Sequence, residues 1–126
     1  MPVPGLGAYD SNNIFARILR GEVPCTRVYE DAFALAFRDI APQAPVHVLV
    51  IPKTPHVSFA DFAVSAPPET VAGFFAAVAR VARDLGLEDP GYRILANMGH
   101  DAHQEVPHFH VHIFGGRPLG AMLPQA

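Results

Sequence analysis

Apolar side chains recur along this chain in two rhythms, and the change from one to the other marks out the elements. Ile14, Phe15, Ile18 and Leu19 repeat at helical spacing. With Ser or Asn available as a cap and Gly21 as a stop, they predict a helix over residues 11–21. A broader stripe of Val71, Phe74, Phe75, Val78, Val81, Ala82 and Leu85 predicts a second helix over residues 67–85, opened by Pro67-Pro68-Glu69 and closed by Gly86. Its other face is thinned by Ala72, Ala76, Ala77 and Ala79, the pattern of a helix lying on a sheet. Elsewhere the β-branched and aromatic runs predict strands: a hairpin over 26–30 and 32–39, a strand over 47–52 after the breaks at Pro42 and Pro45, and two more over 92–98 and 108–114. A turn-rich stretch separates the last two. Strands come in runs rather than alternating with helices, so the class is α+β with an antiparallel sheet.

The last strand carries the chemistry. In His108-Phe109-His110-Val111-His112, imidazoles occupy every second position. A strand puts alternate side chains on opposite faces, so the histidines share one face while Phe109, Val111 and Ile113 anchor the other to a core. Imidazole can bind a metal, carry protons, or attack an electrophile such as phosphorus. At about 3.3 Å per residue the outer two histidines stand roughly 13 Å apart along the strand. A zinc ion wants each ligand nitrogen at about 2.0–2.1 Å, so neighbours can chelate but all three hardly can. Catalysis at the strand therefore leads. A two-histidine metal site and a merely solvated histidine face are the alternatives.

Composition narrows the partners. The 126 residues make one domain large enough for a core without staples, and the lone Cys25 allows no internal disulfide, which suits a reducing, cytoplasmic setting. Net charge is −3 and Lys53 is the only lysine, so no basic stripe exists to neutralise a nucleic-acid backbone. A small phosphorylated ligand remains compatible. No segment approaches the roughly 20 apolar residues of a membrane span. Residues 1–10, rich in Pro and Gly, have neither the basic nor the apolar region of a signal peptide and read as a loose arm before a domain at 11–126.

The segment from His108 to Phe114 resembles the motif of the histidine triad (HIT) family. The likeness to its Hint-like branch, the purine nucleoside phosphoramidases, extends to Ile14-Phe15 with Ile18, to the run from Ala36 to Pro45, and to His47-Val48-Leu49-Val50-Ile51-Pro52-Lys53. Gly91-Tyr92-Arg93, Asn97, Gln104-Glu105-Val106 and Gly115-Gly116-Arg117-Pro118-Leu119-Gly120 also fit. The resemblance implies a five-stranded antiparallel sheet with two helices, paired as a homodimer, acting on a purine nucleotide without a cofactor. It implies that His110 attacks the α-phosphorus to form a nucleotidyl-histidine, that His112 donates to a non-bridging oxygen, and that His108 and His47 orient the others. Asp39 would hold the ribose hydroxyls, and Ile14, Phe15, Ile18, Phe37 and Ile40 the base. Asn97 and the Gln104–Val106 segment would lie near the phosphate.

Two departures from the family pattern stand out. Glu105 occupies a position where many members have a hydroxyl that helps the leaving group; an ionised carboxylate would repel phosphate unless turned away, protonated or facing an amine. Asn13 and Ala16 stand where some relatives carry zinc-binding cysteines, so no such metal site is expected. His56, His100 and His103 read as surface loop residues. A dinucleoside polyphosphate hydrolase and a nucleotide-binding regulatory protein with little catalysis are the competing functions.

Overall fold

The structure is a computed structural model describing residues 2–124; Met1 of the expected arm and Gln125 and Ala126 of the expected domain lie outside the described residues. The elements run α1 (Ile14–Leu19), β1 (Arg27–Glu30), β2 (Ala34–Arg38), β3 (Val46–Pro52), α2 (Phe59–Ser65), α3 (Pro68–Asp84), β4 (Arg93–Leu95) and β5 (Val111–Gly115). The strands form one antiparallel sheet in the order β1-β2-β3-β5-β4.

Alternation along the central strands sorts side chains into two layers. Ala34 and Ala36 of β2, Val48 and Val50 of β3, and Val111 and Ile113 of β5 face α2 and α3, packing with Phe62, Phe74, Val78, Val81 and Phe109. Phe62 and Phe109 stack there with ring centroids 4.8 Å apart. Leu35, Phe37, Leu49 and Ile51 turn the other way and pack under Phe15 of α1. Because Phe37 pairs with Leu49 and Leu49 with His112, one row of the α1 side runs from apolar to imidazole across three strands. That row becomes the floor of the site.

Local signals account for most boundaries. The Asn13 side chain accepts from the Ala16 N–H at 2.9 Å and caps α1, and Gly21, at φ +77°, carries the chain out of it. The helix is thus shorter than the 11–21 expected. α3 matches its expected span within a residue at each end.

Four further expectations are corrected. Among the described residues there are three helices rather than two: α2 is capped by Ser58, and the Asp61 carboxylate accepts from the Val57 N–H at 2.8 Å. β4 spans only three residues. β5 starts at Val111, because the Phe109 N–H donates to the His56 carbonyl at 2.7 Å rather than to a neighbouring strand. His56 is also not a surface residue; its half-buried ring sits 3.7 Å from Asp61 and edge-on to Phe62.

Candidate active site

On the α1 side of the sheet a cavity of about 580 Å³ opens between α1, the β2–β3 connection and the loop before β5. It is within the size range of small-molecule pockets. His110 and His112 line it; His108 and His47 lie behind and beside them, buried. The four imidazoles thus divide into a pair that faces the cavity and a pair packed behind it.

Main-chain partners determine where the protons reside, because a backbone N–H can only donate and a carbonyl can only accept. The Gln43 N–H donates to His47 Nδ1 at 3.1 Å, so a neutral His47 carries its hydrogen on Nε2. That nitrogen lies 2.9 Å from His112 Nδ1 and 3.4 Å from an Asp39 carboxylate oxygen. With Nδ1 accepting, His112 keeps its hydrogen on Nε2. His110 Nδ1 sits 2.7 Å from the carbonyl of His108 and must donate to it, which leaves Nε2 with a free lone pair. His108 Nε2 donates to the Pro52 carbonyl at 2.9 Å. The result is one unprotonated nitrogen on His110 beside one N–H on His112.

Burial keeps these rings neutral. Desolvation pushes His108 and His112 down to about 4, reinforced for both by the neighbouring His110. His110 and His47 are lowered by the same cause, against a partial counter-pull from Asp39. Neutral imidazole is the nucleophilic form.

The other expected residues are distributed around this pair. Asp39 lines the cavity with one carboxylate oxygen accepting from the Ala41 N–H at 2.8 Å and the other beside His47, so it is both a turn residue and an available acceptor. Ile14 and Ile40 stand exposed at the rim, while Phe15, Ile18 and Phe37 form the wall below. Phe15 also meets the His110 ring edge-on at 4.9 Å. Asn97, Glu105 and Val106 line the far side. Gln104 belongs to the same wall, yet its side chain is turned inward: it donates to the carbonyls of Val57 and Val106 and accepts from the Gly99 N–H.

Glu105 pairs at 3.0 Å with His103, and both are exposed at the cavity mouth. His103 has φ +59°, the single described residue other than glycine in the left-handed region. Leu49 and Cys25 are wall residues that sequence reading did not assign; the Phe37–Leu49–His112 register supplies the signal for Leu49. As for metals, Asp39, His47 and His112 each offer a ligand atom within 4.8 Å of the others, a set able to hold a cation. Two of these groups already share a hydrogen bond, His47 Nε2 to His112 Nδ1 at 2.9 Å, with the Asp39 carboxylate 3.4 Å from the same His47 nitrogen.

Comparison with known proteins gives a consistent result. Residues 20–119 match the HIT domain. An uncharacterised HIT-like protein of Azospirillum brasilense is 59% identical over 115 residues, covering 91% of this chain and 94% of that protein. The purine nucleoside phosphoramidase of Escherichia coli is 45% identical over 111 residues, 87% of this chain and 92% of the relative. A HIT family hydrolase from Clostridium thermocellum superposes with a TM-score of 0.83 at 36% identity, over 91% of this chain and 99% of that one.

Proposed function

The chain belongs to the HIT domain family, and from that premise we propose that it hydrolyses the P–N bond of purine nucleoside 5′-phosphoramidates through a nucleotidyl-histidine. The observation that carries this reading is the set of ring contacts that assigns a lone pair to His110 Nε2 and a hydrogen to His112 Nε2, both rings lining one cavity.

His110 Nε2 attacks the α-phosphorus, and the P–N bond breaks with its electron pair leaving on the amine, which takes up a proton from solvent that the attacking water gives back in the second step. The imidazole becomes cationic, and its Nδ1–H bond to the His108 carbonyl stabilises that charge. His112 Nε2–H donates to a non-bridging oxygen where negative charge builds. Water then attacks the same phosphorus, releasing nucleoside monophosphate and returning His110 to its neutral form. His47 holds His112 in the donating tautomer. The exposed Ile14 and Ile40 offer an apolar slot for the base, which needs no charge to stack there. A homodimer belongs to the same reading, supported by exposed Tyr92, Ile94 and Leu95 at the short edge strand β4. Among the described residues no helix is long and apolar enough to cross a membrane.

A kinetic panel tests the reaction class. AMP and GMP phosphoramidates are expected to turn over well above dinucleoside polyphosphates; the reverse order would assign a polyphosphate hydrolase.

Asp39 supplies a sharper test of orientation. If its carboxylate accepts from the ribose, removing the 2′-hydroxyl should weaken transition-state binding by about 1.5–3 kcal/mol, the range for hydrogen bonds to a charged group. Asp39→Ala should lose a similar amount and become indifferent to the 2′-deoxy substitution. A cycle on kcat/KM with both substrates and both proteins measures the coupling. Equal discrimination by parent and variant would leave Asp39 as a turn residue alone.

Turnover is also expected to survive exhaustive chelation, since every step above uses imidazoles and main-chain groups. Metal analysis alongside the assay checks this. A stoichiometric ion whose removal stops turnover would reassign Asp39, His47 and His112 as ligands.

A further inference from the structure

We propose that Tyr9, contributed by the N-terminal arm, is a positioning residue for the histidine system, fixing the seat and tautomer of His108 and, through the His108 carbonyl, the proton position on His110. The proposal rests on the reading of His110 as nucleophile and extends it to a residue outside the cavity.

The Tyr9 hydroxyl lies 2.6 Å from His108 Nδ1, with the two rings edge-on at 5.6 Å. His108 is fully buried, and its other nitrogen faces the Pro52 carbonyl. A carbonyl brings no hydrogen, so His108 Nε2 must supply one. In a neutral ring Nδ1 is then a pure acceptor, and only a donor can satisfy it. Tyr9 is that donor, and burial holds its phenol above its ordinary 10.0, so the hydroxyl keeps its hydrogen. The His108 ring is therefore held at both nitrogens, by Tyr9 on one side and β3 on the other.

What this fixes is a main-chain position. The carbonyl of His108 accepts from His110 Nδ1–H at 2.7 Å, the bond that leaves the attacking nitrogen unprotonated. A His108 ring free to turn lets its own backbone shift, and the alignment of that bond loosens. Tyr9 does not line the cavity, so it affects the reaction without touching nucleotide.

The arm is docked in a way that delivers Tyr9. The Val3 N–H donates to the Gln104 carbonyl at 2.7 Å. Gly5 is buried against Met98, where an added Cβ would come within 2.7 Å of the side chain. Beyond Tyr9, the carbonyl of Asp10 accepts from the Asn13 side chain at 2.7 Å, tying the arm to the cap of α1. Residues 2–10, expected to be loose, thus reach the back of the triad.

Tyr9→Phe removes one oxygen and keeps the ring, so the fold is retained. We expect kcat to fall about tenfold while KM for the nucleotide stays within about twofold, the split that loss of alignment without loss of binding produces. Nitrogen-15 spectra of the imidazoles give a readout that packing alone would not move: the His108 Nδ1 resonance should shift toward that of an unbonded lone-pair nitrogen. Unchanged kcat together with unchanged His108 resonances would overturn the proposal and reduce Tyr9 to packing. The spectra need no substrate. A parent protein inactive on phosphoramidates would therefore count against the proposed reaction, while the spectra still decide Tyr9.

Discussion

Replacing His110 by alanine is expected to reduce turnover by at least about four powers of ten, on the scale seen when a covalent nucleophile is removed from other enzymes. Affinity for the nucleoside monophosphate product should persist, because Asp39, the apolar rim and His112 remain in the cavity wall. Calorimetric titration with the monophosphate measures the second half of this expectation and shows that the variant is folded. Mass spectrometry of acid-quenched parent enzyme should find a nucleotidyl adduct that the variant lacks. Turnover within tenfold of the parent would remove His110 from the role of nucleophile and return the question to the other imidazoles. The effect is expected to be this large because neither other imidazole of the triad combines a wall position with a free lone pair: His112 uses Nδ1 toward His47, and His108 lies outside the wall.

Acid should unfold this protein more readily than its carboxylates alone explain. His108 and His112 titrate near 6.5 when unfolded and at about 4 when folded, because burial opposes the cation. Between those values the unfolded chain binds more protons, so stability rises with pH across the window and is lost as pH falls through it. Above about 6.5 both states are neutral and nothing is lost. By about pH 5 each group contributes a loss of roughly 2 kcal/mol, moderated where the two rings respond to one another. That is a large share of the stability of a domain this size. The carboxylates held low by partners, Glu22, Glu30 and Asp31, start from ordinary values of 4.5 or below and act mainly under this window. Denaturant titrations at about pH 7 and about pH 5 measure the difference. A flat stability profile, with both histidines titrating near 6.5 by NMR, would mean that the folded rings accept protons freely.

The parts legible in the sequence were those with a repeat. Alternation in the last strand places His110 and His112 with the cavity and Val111 and Ile113 with the core, and the 3.6-residue stripe places α3. Features made by single contacts have no period and escaped. α2 is seven residues long and shows no sustained stripe; its signal is the Ser58 and Asp61 pair at its start. Residues 2–10 have the composition of a loose tail, yet Val3 and Tyr9 each find one partner far along the chain. Gln104 was placed in the right wall, but no spacing rule could reveal that its amide faces Val57, Val106 and Gly99.

The proton positions rest largely on atoms that mutation cannot delete. The Gln43 N–H sets His47, the Pro52 carbonyl sets one end of His108, and the His108 carbonyl sets His110. All three are present whatever side chain occupies those positions, provided the backbone path is kept and residue 43 is not proline. Selection on this chemistry therefore acts on loop geometry more than on residue identity, and a lineage can drift at Gln43 or Pro52 while inheriting the same reactive tautomers. Tyr9 is the exception, a side-chain anchor on a terminal segment. It is the place where one nucleotide change, rather than a refolded loop, can alter the inherited setting of the imidazoles.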